Sequence, residues 1–318
     1  MGGIVTVGRA PEVASVEGSK LVAAAAEAAA GQQYPAPALY VVATPIGNLA
    51  DLTLRALHVL ALVDAIACED TRHSAALLRH FAIAKPLIAV HEHNERDAAG
   101  LVLARLARGE RVAYVSDAGT PAVSDPGAAL VAAVHRAGQR VVPIPGASSA
   151  LAALSIAGDT LESAFAVVGF LPARGAERAR ALAQCAGARP TQVLFEAPHR
   201  IESLAAALGE ACPARRLTVC RELTKQFETV ATLPAGGLAA WLATDANRAR
   251  GEFVVVLHAL EIDRIADGEE GHDALLVPLL KSLPLKQAVA LATEIGGAPR
   301  NVLYARALEL KAGARKGL

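Results

Sequence analysis

Between Leu39 and Gly146 short apolar runs alternate with longer segments whose apolar residues recur at helical spacing, and few folds accommodate that alternation. The runs are LYVVATP (Leu39 to Pro45), AIACED (Ala65 to Asp70), LIAV (Leu87 to Val90), RVAYVSD (Arg111 to Asp117) and RVVPIPG (Arg140 to Gly146). Between them lie DLTLRALHVLALV, TRHSAALLRHF, ERDAAGLVLARLARG and PGAALVAAVHRAG, with Gly109 and Gly138 placed where two helices should stop. A strand covered on both faces has no polar side, so the pattern predicts an α/β fold: a five-stranded, mainly parallel sheet between two helical layers. With 53% hydrophobic residues but only 3% aromatics, the core must be built from Ala, Val and Leu, as such a sandwich requires.

After Ala157 the pattern changes. The strand candidates are AFAVVGFLP, TQVLFEAP, RLTVCREL, ETVATL and EFVVVLHAL, and only TKQF separates the third from the fourth. So short a connection implies an antiparallel hairpin, hence a mixed sheet. A chain of 318 residues suits two domains of ordinary size. The expected division is a poorly ordered Ala-rich extension (1–36), an N-terminal parallel-sheet domain (37–155), a second, mixed-sheet domain (156–262), then an acidic linker and basic helical tail (263–318). In that tail, LPLKQAVALATEIGGAPRNVLYARALELK reads as two helices broken at Gly296, Gly297 and Pro299.

The formal net charge is zero, which argues against non-specific coating of nucleic acid while leaving room for a local basic patch. Acidic residues concentrate from Glu261 to Asp273 and basic ones from Lys281 onward. The four cysteines form no CxxC pair and Cys68 and Cys220 fall in strand-like runs, so reduced, buried thiols and a cytoplasmic location are expected. No apolar run approaches the ~20 residues of a membrane helix, and LVAAAAEAAA is too short and has no basic segment of the secretory kind before it.

Three loops leave the first sheet at the carboxyl ends of its strands: TPIGN, SDAGTP and PGASSA. In a parallel sheet those ends face one way, so the loops converge on one crevice. None is GxGxxG or a Walker sequence, which disfavours dinucleotides and nucleoside triphosphates. Asp117 supplies acceptors at a strand end, while Ser148 and Ser149 open a helix whose free N–H groups favour a carboxylate.

The ordered segments LYVVATPIGNLADLTLRAL, CEDTRHSAALLRHF, HEHNE, VSDAGTPAVSDPG, IPGASSALAAL, GFLP, LFEAPHRI and CRELTKQFE resemble the tetrapyrrole methylase superfamily. Within it, the chain is similar to the ribosomal RNA small subunit methyltransferase I family. The resemblance implies a two-domain tetrapyrrole-methylase-like fold with a small C-terminal helical appendage. It also implies S-adenosylmethionine as cofactor, a homodimer, and 2'-O-methylation of a cytidine ribose in the decoding region of small-subunit ribosomal RNA. By that resemblance the cofactor pocket uses Pro45, Asp117, Thr120, Ser148, Ser149, Phe195 and the backbone near Cys220 and Arg221.

FEAPHR and CRELTK bring a dense set of titratable groups into a chain only 19% charged. Glu196, Glu222 and His199, in that order, are the candidates to accept the hydroxyl proton, because a 2'-hydroxyl is a weak nucleophile at neutral pH. Arg200 and Lys225, with Arg72, His91, Arg300 and Arg306, are the candidates to contact RNA. His91 and His93 share one face of an extended chain but have no third ligand, so no metal is expected. Two rival readings are a superfamily enzyme methylating a corrinoid or porphyrin precursor and a non-catalytic RNA-binding assembly factor. The basic tail disfavours the first and the intact donor-side loops the second.

Overall fold

The computed structural model describes residues 17–29, 31–91, 95–124, 126–161, 163–260, 269–296 and 298–316. The described chain divides into two compact units. The larger runs to Leu257 and holds both sheets; the smaller comprises residues 159–165, 187–191 and the segment from His258 onward.

The larger unit begins with helix α1 (Gly18–Ala29), which corrects the expectation of a disordered extension over these residues. Ala25 and Ala29 are buried, and Leu21 and Val22 pack into the same apolar cluster as Val59, Leu60 and Phe81. Gly18 sits so close to the end of a later helix that a Cβ there would stand 2.3 Å from the His80 carbonyl oxygen. An Ala-rich helix has a weak apolar pattern of its own, and what orders this one is the surface it covers.

Next come β1 (Ala38–Val42), α2 (Leu54–Leu62), β2 (Ala65–Cys68), α3 (Thr71–His80), β3 (Leu87–Ala89), α4 (Glu95–Ala107), β4 (Arg111–Val115), α5 (Ala128–Arg136), β5 (Val141–Ile144) and α6 (Ser149–Ala157). The strands form a five-stranded sheet in the order β3-β2-β4-β1-β5, with every pair parallel. Alternate residues take opposite faces. Tyr40, Val42, Ile66 and Ala113 meet α1 and α2, while Leu39, Ala67, Val112 and Tyr114 meet Ala98, Val102 and Leu106 of α4 and Leu130 and Val134 of α5. Side-chain caps start the helices where the strand-end loops finish: Thr53 for α2, Asp70 for α3 and Ser148 for α6.

The second sheet uses β6 (Phe165–Phe170), α7 (Gly175–Gly187), β7 (Thr191–Glu196), α8 (Ile201–Ala211), β8 (Arg216–Arg221), β9 (Thr229–Pro234), α9 (Leu238–Ala243) and β10 (Phe253–Leu257). Its order is β6-β7-β10-β8-β9. As the short TKQF connection predicts, β8 and β9 pair antiparallel, and β10 runs antiparallel to both β7 and β8. One face packs on α7, α8 and α9. The other receives Ala150, Ala153 and Ala157 of α6 against Val193, Cys220, Val254 and Val256. One helix thus caps a loop of the first sheet and carries the second.

In the smaller unit, α10 (Glu269–Ser282), α11 (Leu285–Gly296) and α12 (Arg300–Lys316) close on Leu276, Val289, Ala292, Leu303 and Ala307. The sequence predicts only the last two helices. The acidic stretch read as a linker, Glu261 to Asp273, overlaps the start of α10, which runs through Asp273 and on past Pro278. Glu261, Asp263 and Asp267 lie outside the described residues.

Candidate functional site

The three loops at the carboxyl ends of the first sheet are tied to one another. Thr44 and Gly119 exchange backbone hydrogen bonds, with each N–H donating to the other's carbonyl at 2.9 and 3.0 Å. The Thr120 hydroxyl donates to the Ala147 carbonyl at 3.0 Å, joining the second loop to the third. Gly146 closes the ring, since a Cβ there would stand 3.0 Å from that of Ala43. Gly119 takes φ 78°, a left-handed conformation that favours glycine. Asp117 accepts from the Asp70 N–H at 3.1 Å, which fixes its carboxylate at the strand end.

These loops form one wall of a cavity of about 480 Å³. Ile46, Asp117, Thr120, Ser148 and Ser149 line it from the first sheet, together with Glu69 and Ser124. Ser148 caps α6 by accepting from the Leu151 N–H, so the opening turn of that helix faces the cavity. The second sheet contributes Phe170, Phe195, Glu196, Leu223, Glu252 and Val254. Phe170 and Phe195 meet edge to face with centroids 5.7 Å apart.

Two devices hold the second wall. In the first, the Glu196 carboxylate is wholly buried between Arg178, at 3.2 Å, and Arg200, at 2.9 Å. Arg178 also donates to the Pro172 carbonyl and Arg200 to the Leu171 carbonyl, pinning the turn that follows Phe170. In the second, Glu222 accepts from the Glu252 N–H and from Lys225, both at 2.9 Å, and Lys225 also reaches Glu252. Burial pushes the Glu222 carboxyl up, but the Glu252 N–H and the Lys225 ammonium outweigh it and hold the group below the usual range. The Lys225 stem lies against Gly47 of the first loop, where a Cβ would come within 2.6 Å of its Cγ.

The other expected residues are distributed as follows. Pro45 is half-buried between Thr44 and Ile46. Cys220 is fully buried beneath α6, and burial pushes its thiol up to about 12. The Arg221 guanidinium braces its own loop by donating to the Arg250 and Phe227 carbonyls. His199 is exposed on the short turn that begins at Pro198, a cavity residue. Arg72 is exposed and paired with Asp70, and His91 is exposed after β3; His93 lies outside the described residues.

In the smaller unit Arg300 is exposed at the start of α12, whereas Arg306 is engaged by Asp273, at 2.7 and 2.8 Å, and by Glu309. The pairing with Asp273 ties α12 to α10. Arg200 and Lys225, also expected at phosphates, are engaged inside the two wall devices.

Residues 38–239 match the family described as Tetrapyrrole (Corrin/Porphyrin) Methylases, and residues 266–311 match the RsmI C-terminal HTH domain. Ribosomal RNA small subunit methyltransferase I of Pseudomonas aeruginosa PAO1 is 49% identical over 276 residues, covering 85% of this chain and 96% of that protein. The chain belongs to the ribosomal RNA small subunit methyltransferase I family. The Escherichia coli O157:H7 member is 47% identical over 277 residues, covering 85% of this chain and 94% of its own length. Among solved structures, diphthine synthase shares the fold with a TM-score of 0.55 at 17% identity, covering 70% of this chain and 90% of that one. The cobalt precorrin-4 methyltransferase shares it at 0.52 and 18%, covering 69% and 94%.

In this methyltransferase the cavity includes residues that sequence reasoning passed over. Phe170 and Leu223 fall within the GFLP and CRELTK motifs but carry no polar signal. Arg178 lies on an ordinary-looking amphipathic helix, and only the fold brings it to Glu196. Among the described residues no helix is long and apolar enough to cross a membrane.

Proposed function

We propose that the chain transfers the methyl group of S-adenosylmethionine to the ribose 2'-hydroxyl of a cytidine in the decoding region of small-subunit ribosomal RNA. The observation that carries this reading is the cavity at the strand ends, lined by the three tied loops, in a chain of this family. Its size lies within the range of small-molecule sites, roughly 300–1,000 Å³. Its chemistry fits a zwitterionic adenosyl amino acid. Asp117 offers a carboxylate to an ammonium or to ribose hydroxyls, the first turn of α6 offers N–H groups to a carboxylate, and Ile46, Phe195, Leu223 and Val254 offer apolar surface to a purine.

When bound, the sulfonium supplies an already activated methyl carbon, which leaves alignment and proton removal to the protein. Alignment falls to the tied loops and the two wall devices. Of the three candidates for the proton, Glu196 and Glu222 have carboxylates occupied by cations, and their role is to hold the wall. His199 makes no hydrogen bond or ion pair among the described residues and stands beside the cavity residue Pro198, so it is the acceptor we favour. The family resemblance also carries a homodimer, and the free cysteines suit a cytoplasmic location. Phe227 and Val230, exposed beside and on the edge strand β9, are apolar surface suited to a subunit contact.

Transfer of labelled methyl to small subunits lacking the modification tests the reading. It requires label at one alkali-resistant cytidine, and label only on a tetrapyrrole precursor would overturn it. His199→Gln should lower kcat about 10²- to 10⁴-fold with cofactor affinity unchanged.

A further inference from the structure

We infer that the helical unit carries a binding groove for single-stranded RNA, built from Lys286, Arg300, Asn301 and Tyr304 over a floor of Ala305 and Leu308. The inference rests on the reading of the chain as a ribosomal RNA methyltransferase.

Helix α12 has two faces. Leu303, Ala307 and Leu310 turn toward α10 and α11, and Arg306 is clamped to Asp273 and Glu309. Arg300, Asn301, Tyr304, Ala305 and Leu308 recur at helical spacing on the other face and are all exposed. Lys286, exposed in the first turn of α11, lines the same open groove. Among the described residues neither Lys286 nor Arg300 makes an ion pair, whereas Arg306 pairs with Asp273 and with Glu309. A basic rim that meets no carboxylate among the described residues is complementary to phosphates.

The floor narrows the choice of ligand. Tyr304 is 37% exposed and Leu308 47%, so an aromatic ring and an aliphatic side chain lie open between the cations. Cations tracking a backbone beside a ring on which a base stacks is how proteins hold unpaired strands. A helix-turn-helix unit ordinarily presents the amino-terminal residues of its second helix to a major groove. That groove is deep and narrow in A-form RNA and closed to side chains. On an RNA substrate the same helix face therefore suits an unpaired segment, with Asn301 offering an amide to a base edge.

The test is fluorescence anisotropy of the full-length protein with a labelled oligocytidine of about ten nucleotides, against a duplex of equal length, over a salt series. Tyr304→Ala should weaken single-strand binding about tenfold, while Tyr304→Phe should keep it, because stacking needs the ring and not the hydroxyl. The double variant Lys286→Gln, Arg300→Gln should lower the slope of log affinity against log salt by about 1.4, at about 0.7 per phosphate contact on a single strand. Unchanged melting temperatures confirm that the variants fold. Wild-type affinity and slope in every variant, equal losses in Tyr304→Ala and Tyr304→Phe, or a preference for the duplex would overturn the groove. So would variants that keep RNA binding but lose a contact with a ribosomal protein. Groove-dependent binding without methyl transfer to small-subunit RNA would sink the enzymatic reading and leave the groove standing.

Discussion

Glu196 illustrates how one side chain can be read two ways. In FEAPHR it is a carboxylate beside a crevice; in the fold it is the buried centre of a cluster with Arg178 and Arg200. Removing one partner of such a group leaves the other charges buried and uncompensated, so Glu196→Ala should cost about 3–5 kcal/mol in denaturant unfolding. Glu196→Gln should cost less and should raise KM for the cofactor as the Phe170 turn loosens. Asp70 is a simpler case. Its hydrogen bonds with the Arg72 side chain and N–H hold its carboxyl at about 2, below the ordinary 3.8. A depressed carboxylate stabilises the fold fully above its unfolded value and loses that contribution as pH falls through its folded value. The melting-temperature gap between wild type and Asp70→Ala should thus be constant above about pH 5 and vanish toward about pH 2.

At the scale of elements, α6 and α1 carry the most consequence. The α6 helix opens at the cavity through Ser148 and buries Ala150, Ala153 and Ala157 against the second sheet, which is why small residues recur along it. The α1 helix packs on α2, and its Ala25 is wholly inaccessible. Ala25→Leu should therefore lower stability by about 1–3 kcal/mol through overpacking, measured by thermal or denaturant melting. In a disordered extension the same change would have no effect. Elements with a strong pattern of their own, such as the β8–β9 hairpin and the parallel strands, need no such context to be recognised.

Across the whole molecule each unit has its own apolar interior. Among the described residues, the clusters that bury the two sheets draw on side chains up to Leu257, and α10, α11 and α12 share a cluster of their own. Removing residues 261–318 should leave cofactor affinity, measured by calorimetry, within about twofold. Affinity for small-subunit RNA should fall about tenfold or more with the loss of phosphate contacts. Equal RNA affinity after the truncation would remove the helical unit from substrate binding.

By itself the sequence determined the alternation of strands and helices, the three loops at strand ends, the hairpin and the family, because each is written in local periodicity or in contiguous motifs. Asp117, Thr120, Ser148, Ser149 and Phe195 were legible as cavity residues for that reason. Tertiary structure alone decided which charges are available. Arg178 meets Glu196 from another helix, Lys225 closes on Glu222 and Glu252, and Arg306 is taken by Asp273 while Arg300 stays exposed. A charged side chain has no periodicity that reveals its partner. Its role is set by the distance and burial of a group remote in the chain, and only the folded backbone fixes those.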